Sequence, residues 1–271
     1  MRLAISNIAW DTEYDNAIYR HMRSRGFTGL EIAPTRLCRT KTPYAAWESE
    51  QVLCIVKNIK KNYGLEPCSM QSILYGVTDN IFQGKEQRLR LIDHLGKACA
   101  YAALTGFRNL VFGCPANRNM ADPEHDYATG ISFFRQLALV AATHGVIIAV
   151  EPVSPEYGTN FLNTMEQTVK FVLEVDKSAV RINLDLGALI TGGESLAQAR
   201  PYLGLVNHIH ISEPGLARIR RRLLHVELAE MLVQENYDRW ISIEMKSCES
   251  ISQVMETIDY IADVFSLAFS S

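Results

Sequence analysis

VIIAVEPVSPEYGTNFLNTMEQTVKFVLEVDKSAVRINLD, residues 146–185, contains one full repeat of the chain's architecture. An apolar run, VIIAV, stops at Glu151. A loop bearing Pro155, Gly158 and Asn160 follows, an amphipathic stretch covers 164–175, and a second apolar run, VRINL, stops at Asp185. Short runs rich in Val and Ile, separated by a segment of helical period, read as strand, helix, strand, the unit from which parallel sheets are built.

The same unit recurs in both directions. Strand candidates are LAISNIA (3–9), TGLEIA (28–33), EPCSMQ (66–71), FRNLVFG (107–113), VIIAVE (146–151), VRINLD (180–185), VNHIHI (206–211) and WISIEM (240–245). Amphipathic stretches lie near 14–25, 43–63, 85–104, 122–144, 164–175, 194–200, 222–236 and 250–266. Gly26, Gly64, Gly106 and Gly145 each stand just past a helical pattern, where a helix C-terminus favours glycine. Eight strand–helix units in roughly 250 residues describe an α/β protein, a single-domain (β/α)8 TIM barrel occupying residues 1–271. The competing architecture, a doubly wound open sheet, normally carries a glycine-rich phosphate loop after its first strand. Here the first strand runs into Asn7, Ala9 and Trp10 without such glycines.

Composition narrows the function classes. The chain has 271 residues, 27 Lys+Arg against 30 Asp+Glu for a net charge of −3, 48% hydrophobic and 21% charged residues. That is a globular composition with a slight acidic excess, which argues against a nucleic-acid partner. The N-terminus meets acidic residues too early for a signal-peptide core, and no run approaches the roughly 18 apolar residues of a membrane span, so the expectation is a cytoplasmic protein with no membrane partner. Six scattered cysteines (Cys38, Cys54, Cys68, Cys99, Cys114, Cys248) form no C-x-x-C pair and read as reduced packing residues.

Barrel enzymes place their chemistry at the C-terminal ends of the strands. Four consecutive candidate strands end in or reach a polar side chain there: Glu151, Asp185, His210 and Glu244. Taken singly, a strand-end acid more often caps a helix or joins an ion pair, and a strand histidine such as His208 is most simply a hydrogen-bonded core residue. Taken together, three carboxylates at the mouth of an apolar barrel need positive charge to offset their burial, and one divalent metal ion supplies it. Three carboxylates and an imidazole suit Mn2+ or Mg2+, with Co2+ or Zn2+ as alternatives.

With these motifs in view (EP at 151–152, LDLG at 184–187, HIHISEP at 208–214, SIEM at 242–245), the sequence resembles the xylose-isomerase-like TIM barrel family of sugar phosphate isomerases and epimerases over nearly its whole length. The resemblance implies that Glu151, Asp185, His210 and Glu244 bind one divalent metal per chain. It also implies that Glu151 and Glu244 are the catalytic acid/base pair. The implied activity is metal-dependent isomerisation or epimerisation of a sugar or sugar derivative, free or phosphorylated, through an enediolate. A dehydratase or lyase acting on a keto-cyclitol or keto acid shares the same first proton abstraction and is the alternative. A barrel endonuclease fits the charge and the seven histidines poorly, and a non-catalytic protein that has kept the metal cage is the remaining class. Many epimerases of the family carry a substrate-contacting His three residues after the strand-six Asp, and Ala188 stands there in this chain. Glu156 is the nearest counterpart of the family's second strand-five glutamate.

Further residues point to substrate. The run Arg218, Arg220, Arg221, Arg222 beside His225 suggests an anion contact after strand seven, with Arg218 nearest the strand end; a solvated basic helix start or an oligomer contact is the other reading. Asn117 and Arg118, after Gly113, are placed to reach the same mouth as substrate-binding groups or to close a structural turn. Trp10 and Gln71 complete the expected substrate-binding set, Trp10 as an apolar wall, with packing and a buried network as their alternatives; Glu31 reads as a buried network residue. The expected partner is a small carbohydrate-like molecule, and a homodimer or homotetramer suits a barrel of this size.

Overall fold

A computed structural model describes residues 2–38, 44 and 46–268. Its strands are β1 (Arg2–Ser6), β2 (Gly29–Ile32), β3 (Glu66–Met70), β4 (Asn109–Phe112), β5 (Ile147–Val150), β6 (Val180–Asp185), β7 (Val206–Ile211) and β8 (Trp240–Ile243). They pair in sequence order as one parallel sheet, and β8 returns to β1 through the register Leu3 with Ile241 and Ile5 with Ile243, closing the barrel. Outside it lie α1 (Asp15–Ser24), α2 (Pro34–Cys38), α3 (Ala46–Tyr63), α4 (Lys85–Thr105), α5 (Pro123–Thr143), α6 (Met165–Val175), α7 (Leu186–Gly192), α8 (Leu196–Ala199), α9 (Leu223–Gln234) and α10 (Ile251–Ala268). Among the described residues no helix is long and apolar enough to cross a membrane.

The closure follows from a strict alternation along the strands. Leu3 and Ile5, Leu30 and Ile32, Ile148 and Val150, Ile182 and Leu184, Ile209 and Ile211, and Ile241 and Ile243 all belong to the hydrophobic core that the helices cover. Between them sit Ser6, Glu31, Asn183, Asp185, His208, His210 and Ser242, all buried, with Asn183, His210, Glu31 and Ser242 linked by hydrogen bonds across the barrel. A typical barrel fills its axis with branched aliphatic residues. This one places its aliphatics outward and lines the upper axis with polar groups.

Local signals explain the helix boundaries. Asp122 caps α5 by accepting from the Glu124 N–H, with Pro123 in the first turn, and Thr164 caps α6 by accepting from the Gln167 N–H. Gly106 ends α4 at φ 95°, a left-handed conformation that favours glycine.

Three expectations shift. The first strand ends at Ser6, and Asn7–Ala9 form a 3-10 turn, because the Asn7 side chain leaves the strand ladder to accept from the Ala33 N–H at 2.9 Å. The helix expected near 194–200 is instead the short α8, preceded by α7, which starts directly at the end of β6 because Asp185 caps it. The segment after β2 adds the five-residue α2. Of the helix expected over 43–63, positions 43 and 45 lie outside the described residues, and α3 begins at Ala46.

Candidate metal centre

Strands β5 to β8 bring the four strand-end residues to one point. The Nδ1 atom of His210 lies 3.1 Å from a Glu244 oxygen, 3.4 Å from a Glu151 oxygen and 3.8 Å from an Asp185 oxygen. Ligand atoms of Glu151, Asp185 and His210 all fall within 4.8 Å of one another. The register that sets Asp185 beside His210, and His210 beside Ser242 two residues before Glu244, fixes this convergence in the sheet.

Neighbouring side chains orient each member. Asn183, two residues before Asp185 on the same face of β6, donates to Glu151 Oε2 at 2.6 Å and lies 3.0 Å from His210 Nδ1. Ser212 donates to Asp185 Oδ2 at 2.6 Å, while Asp185 Oδ1 accepts from the Ala188 N–H at 2.6 Å as the cap of α7. Asp185 therefore both caps a helix and faces the imidazole. Gly113 makes room for Glu151, since a Cβ there would stand 2.9 Å from Glu151 Oε1.

The electrostatics are those of crowded acids. Burial, then repulsion from Glu151 and Glu244, pushes Asp185 up to about 8. Burial, aided by Glu151 and Glu31, also raises Glu244, with His210 opposing. For His210, burial opposes the imidazolium, but Glu244, Glu31 and Glu151 overcome it and hold the group well above its ordinary value. The cluster thus demands positive charge. The donor set fits a divalent cation: two donors about 2.1 Å from one small ion and at right angles stand about 3 Å apart, close to the shorter spacings around His210 Nδ1. A second group with metal-ligand geometry, Glu31, His208 and His210, lies on the other side of the same imidazole.

Above the acids opens a cavity of about 260 Å³. Glu151, Asp185 and Glu244 line it, with Gln71 and the β4-loop residues Gly113, Cys114 and Pro115. Val111, Val153, Tyr157, Ala188 and Leu216 give it a largely apolar wall. The Tyr157 hydroxyl accepts from the Gly215 N–H at 2.6 Å, tying the loop after β5 to the loop after β7.

Of the expected substrate contacts, only Gln71 reaches this cavity, where it also donates to Ser6 Oγ at 3.1 Å. Arg118 is fully buried with no hydrogen-bond partner on any guanidinium nitrogen, and it does not line the cavity. Burial lowers it to about 10, with Glu151 and Cys114 opposing. The Asn117 amide is committed to the carbonyls of Val77 and Asp79 at 2.9 and 2.7 Å, which ties the loop after β4 to the loop after β3. Trp10 is buried away from the cavity and donates to Asp15 at 2.8 Å. Arg218 turns outward to Glu256 of α10 at 2.5 Å, and Arg222 grips Glu213 through two bonds of 2.7 and 2.5 Å. Glu213 is buried and lines the cavity as its fourth carboxylate.

The family description "Xylose isomerase-like TIM barrel" matches residues 19–264. The chain belongs to that family. No curated protein sequence matches it significantly. Among solved structures, this xylose isomerase-like barrel is similar to the 3-keto-D-glucoside 4-epimerase of E. coli, at 21% identity over 100% of both chains and a TM-score of 0.76. It is also similar to the D-psicose 3-epimerase of Clostridium cellulolyticum H10, at 18% identity over 100% of this chain and 97% of the other, TM-score 0.75. An L-ribulose 3-epimerase aligns at 17% identity over 99% and 94% of the two chains, TM-score 0.77. At such identities these likenesses establish the fold.

Asn183, Ser212, Glu213 and Tyr157 were not singled out from the sequence. The first two carry a usable signal, since each stands two residues from a strand-end ligand and so shares its face. For Glu213 and Tyr157 no such signal exists, because loop geometry alone turns them into the cavity.

Proposed function

We propose that this xylose isomerase-like barrel is a divalent-metal-dependent epimerase or isomerase acting on a small carbohydrate. The observation that carries the reading is the convergence of Glu151, Asp185 and Glu244 oxygens on His210 Nδ1 at 3.1–3.8 Å. Those four residues would hold the ion, with Mn2+ or Mg2+ best suited to the oxygen-rich set. When bound, such a cation supplies Lewis-acid polarisation of substrate oxygens next to the carbon that loses its proton.

Glu151 comes from the end of β5 and Glu244 from the end of β8, with Asp185 and His210 between them in the ring. A sugar seated over that central pair has one glutamate on each side. One glutamate removes the proton beside the carbonyl; the other returns a proton to the opposite face of the same carbon or to its neighbour. The apolar wall of Tyr157, Val153 and Leu216 keeps water from the transferred proton and packs on the sugar's C–H groups. An uncharged sugar fits better than a phosphorylated one. The cavity gathers four carboxylates, no Lys or Arg among the described residues lines it, and Arg218 and Arg222 are engaged by Glu256 and Glu213.

Solvent exchange tests the reading. Mn2+-loaded protein in D2O, given free ketoses and keto-glycosides, is expected to replace the proton beside the carbonyl with deuterium without loss of water. Glu244→Gln is expected to slow this by about 100-fold or more, as for removal of a general acid/base. Release of water with a dehydrated product would move the protein to the lyase class, and absence of exchange by the metal-loaded protein would overturn the proposal.

A further inference from the structure

Glu31 and His208, on the side of His210 away from the three carboxylates, have no part in the chemistry above, yet both are fully buried. Glu31 comes from the middle of β2. Its Oε1 lies 3.1 Å from His210 Nε2 and 3.2 Å from His208 Nε2, and its Oε2 accepts from Ser242 Oγ at 2.9 Å. A carboxylate removed from water persists only where donors surround it, and here His210 and Ser242 hydrogen-bond to it while His208 stands within ion-pair distance. Strands β2, β7 and β8 meet at this point because the barrel closes through β1, so the arrangement depends on the complete fold rather than on local sequence.

We infer that Glu31 is a positioning residue for the metal centre, an inference that rests on the metal-binding reading of Glu151, Asp185, His210 and Glu244. The imidazole has two nitrogens, and the bond made by one decides what the other presents. With Glu31 Oε1 accepting from Nε2–H, Nδ1 is left as a lone-pair donor on the side of the ring that faces the Asn183 amide and the three carboxylates. Ser242 anchors the second Glu31 oxygen and prevents the carboxylate from rotating away. The geometry makes the device economical: His210 meets the three carboxylates at Nδ1 and Glu31 at Nε2, so one side chain links the ion-binding group to a carboxylate behind it. A purely structural role for Glu31 would require only that the core remain filled and neutral. The positioning role requires its charge and its acceptor oxygen.

Glu31→Gln keeps the shape and removes the charge. Mn2+ affinity, measured by titration calorimetry on the intact protein, is expected to fall by about 10–100-fold, the usual effect of losing such an outer partner, with a stoichiometry of about one ion per chain retained. Long-range 1H–15N spectra of the Zn2+-loaded protein are expected to show the His210 Nε2–H signal displaced relative to wild type. Ser242→Ala, which perturbs only the anchor, is expected to weaken Mn2+ binding several-fold and provides the same test should Glu31→Gln fail to fold. Wild-type Mn2+ affinity and an unchanged His210 signal in the folded variants would overturn the inference while leaving the metal centre intact. A wild-type protein that binds no Mn2+ would overturn the metal reading and this inference with it.

Discussion

The two faces of the same eight strands obey different rules. On the outer face Ile5, Ile32, Ile182, Ile209 and Ile243 lie in one continuous hydrophobic core with the helices. On the inner face, one residue away in each case, Ser6, Glu31, Asn183, His210 and Ser242 form a buried polar network. Outside, stability comes from area removed from water and tolerates exchange among aliphatic residues of similar volume. Inside, each group is held by a named partner, and the sum of those bonds is a cluster of acids short of positive charge. Burying the strands thus stabilises the fold on one side and shapes the chemistry on the other.

Neighbours on β6 offer the sharpest way to break this comparison. Ile182→Ala removes a fully buried outward side chain and is expected to cost about 3–4 kcal/mol in denaturant unfolding, with metal affinity unchanged in the folded fraction. Asn183→Ala, one position on, removes the donor to Glu151 Oε2 and is expected to weaken metal binding at least about tenfold while changing stability less. Equal effects of the two substitutions on both quantities would show that the faces are not separable.

A second contrast concerns charge. The inner face gathers ionisable groups, whereas the helical shell excludes a proton at His225 of α9, whose Nδ1 lies 3.0 Å from the Tyr260 hydroxyl and whose Nε2 has no partner. Burial lowers this histidine to about 4, with Glu213 opposing and Arg222 assisting. The unfolded chain takes up the proton near pH 6.5 and the folded one only near 4, so this contribution is complete above about 6.5 and is lost as pH falls toward 4. The gap corresponds to about 3 kcal/mol at most. Unfolding midpoints of wild type and His225→Gln at pH 7.5 and 4.5 measure it: the wild type is expected to lose more stability on acidification than the variant. A parallel loss in both would assign the acid sensitivity elsewhere.

The smallest expected effect lies where the faces touch at the mouth. Gly113→Ala would press a Cβ to within 2.9 Å of Glu151 Oε1, and the carboxylate end must shift. A fall of about tenfold in metal affinity, roughly 1.4 kcal/mol, with little change in unfolding midpoint is the expected result, readable by calorimetry. Unchanged affinity would mean that Glu151 has room to adjust.

Much of this division could be read from the sequence. The count of eight strand–helix units points to the barrel, and the ends of VIIAVE, VRINLD, VNHIHI and WISIEM point to the four strand-end residues, because strand periodicity is a local property. The loops were less legible. Arg218 is close in sequence to His210 but pairs with Glu256, and nothing in the run of arginines reveals that α10 supplies an acceptor. Trp10 finds its partner five residues on, at Asp15, whereas Asn117 reaches back to carbonyls in the loop after β3. The helix starting at Leu186 was masked by Gly187 and Gly192, which weaken a helical pattern, while the cap that starts it is a side chain read as a metal ligand.

Metal content tests the central claim most directly. Purified protein is incubated with Mn2+, dialysed and assayed by elemental analysis, beside His210→Ala treated identically. The account predicts about one ion per chain in the wild type and almost none in the variant. No metal in the wild type, or equal metal in both, would contradict it.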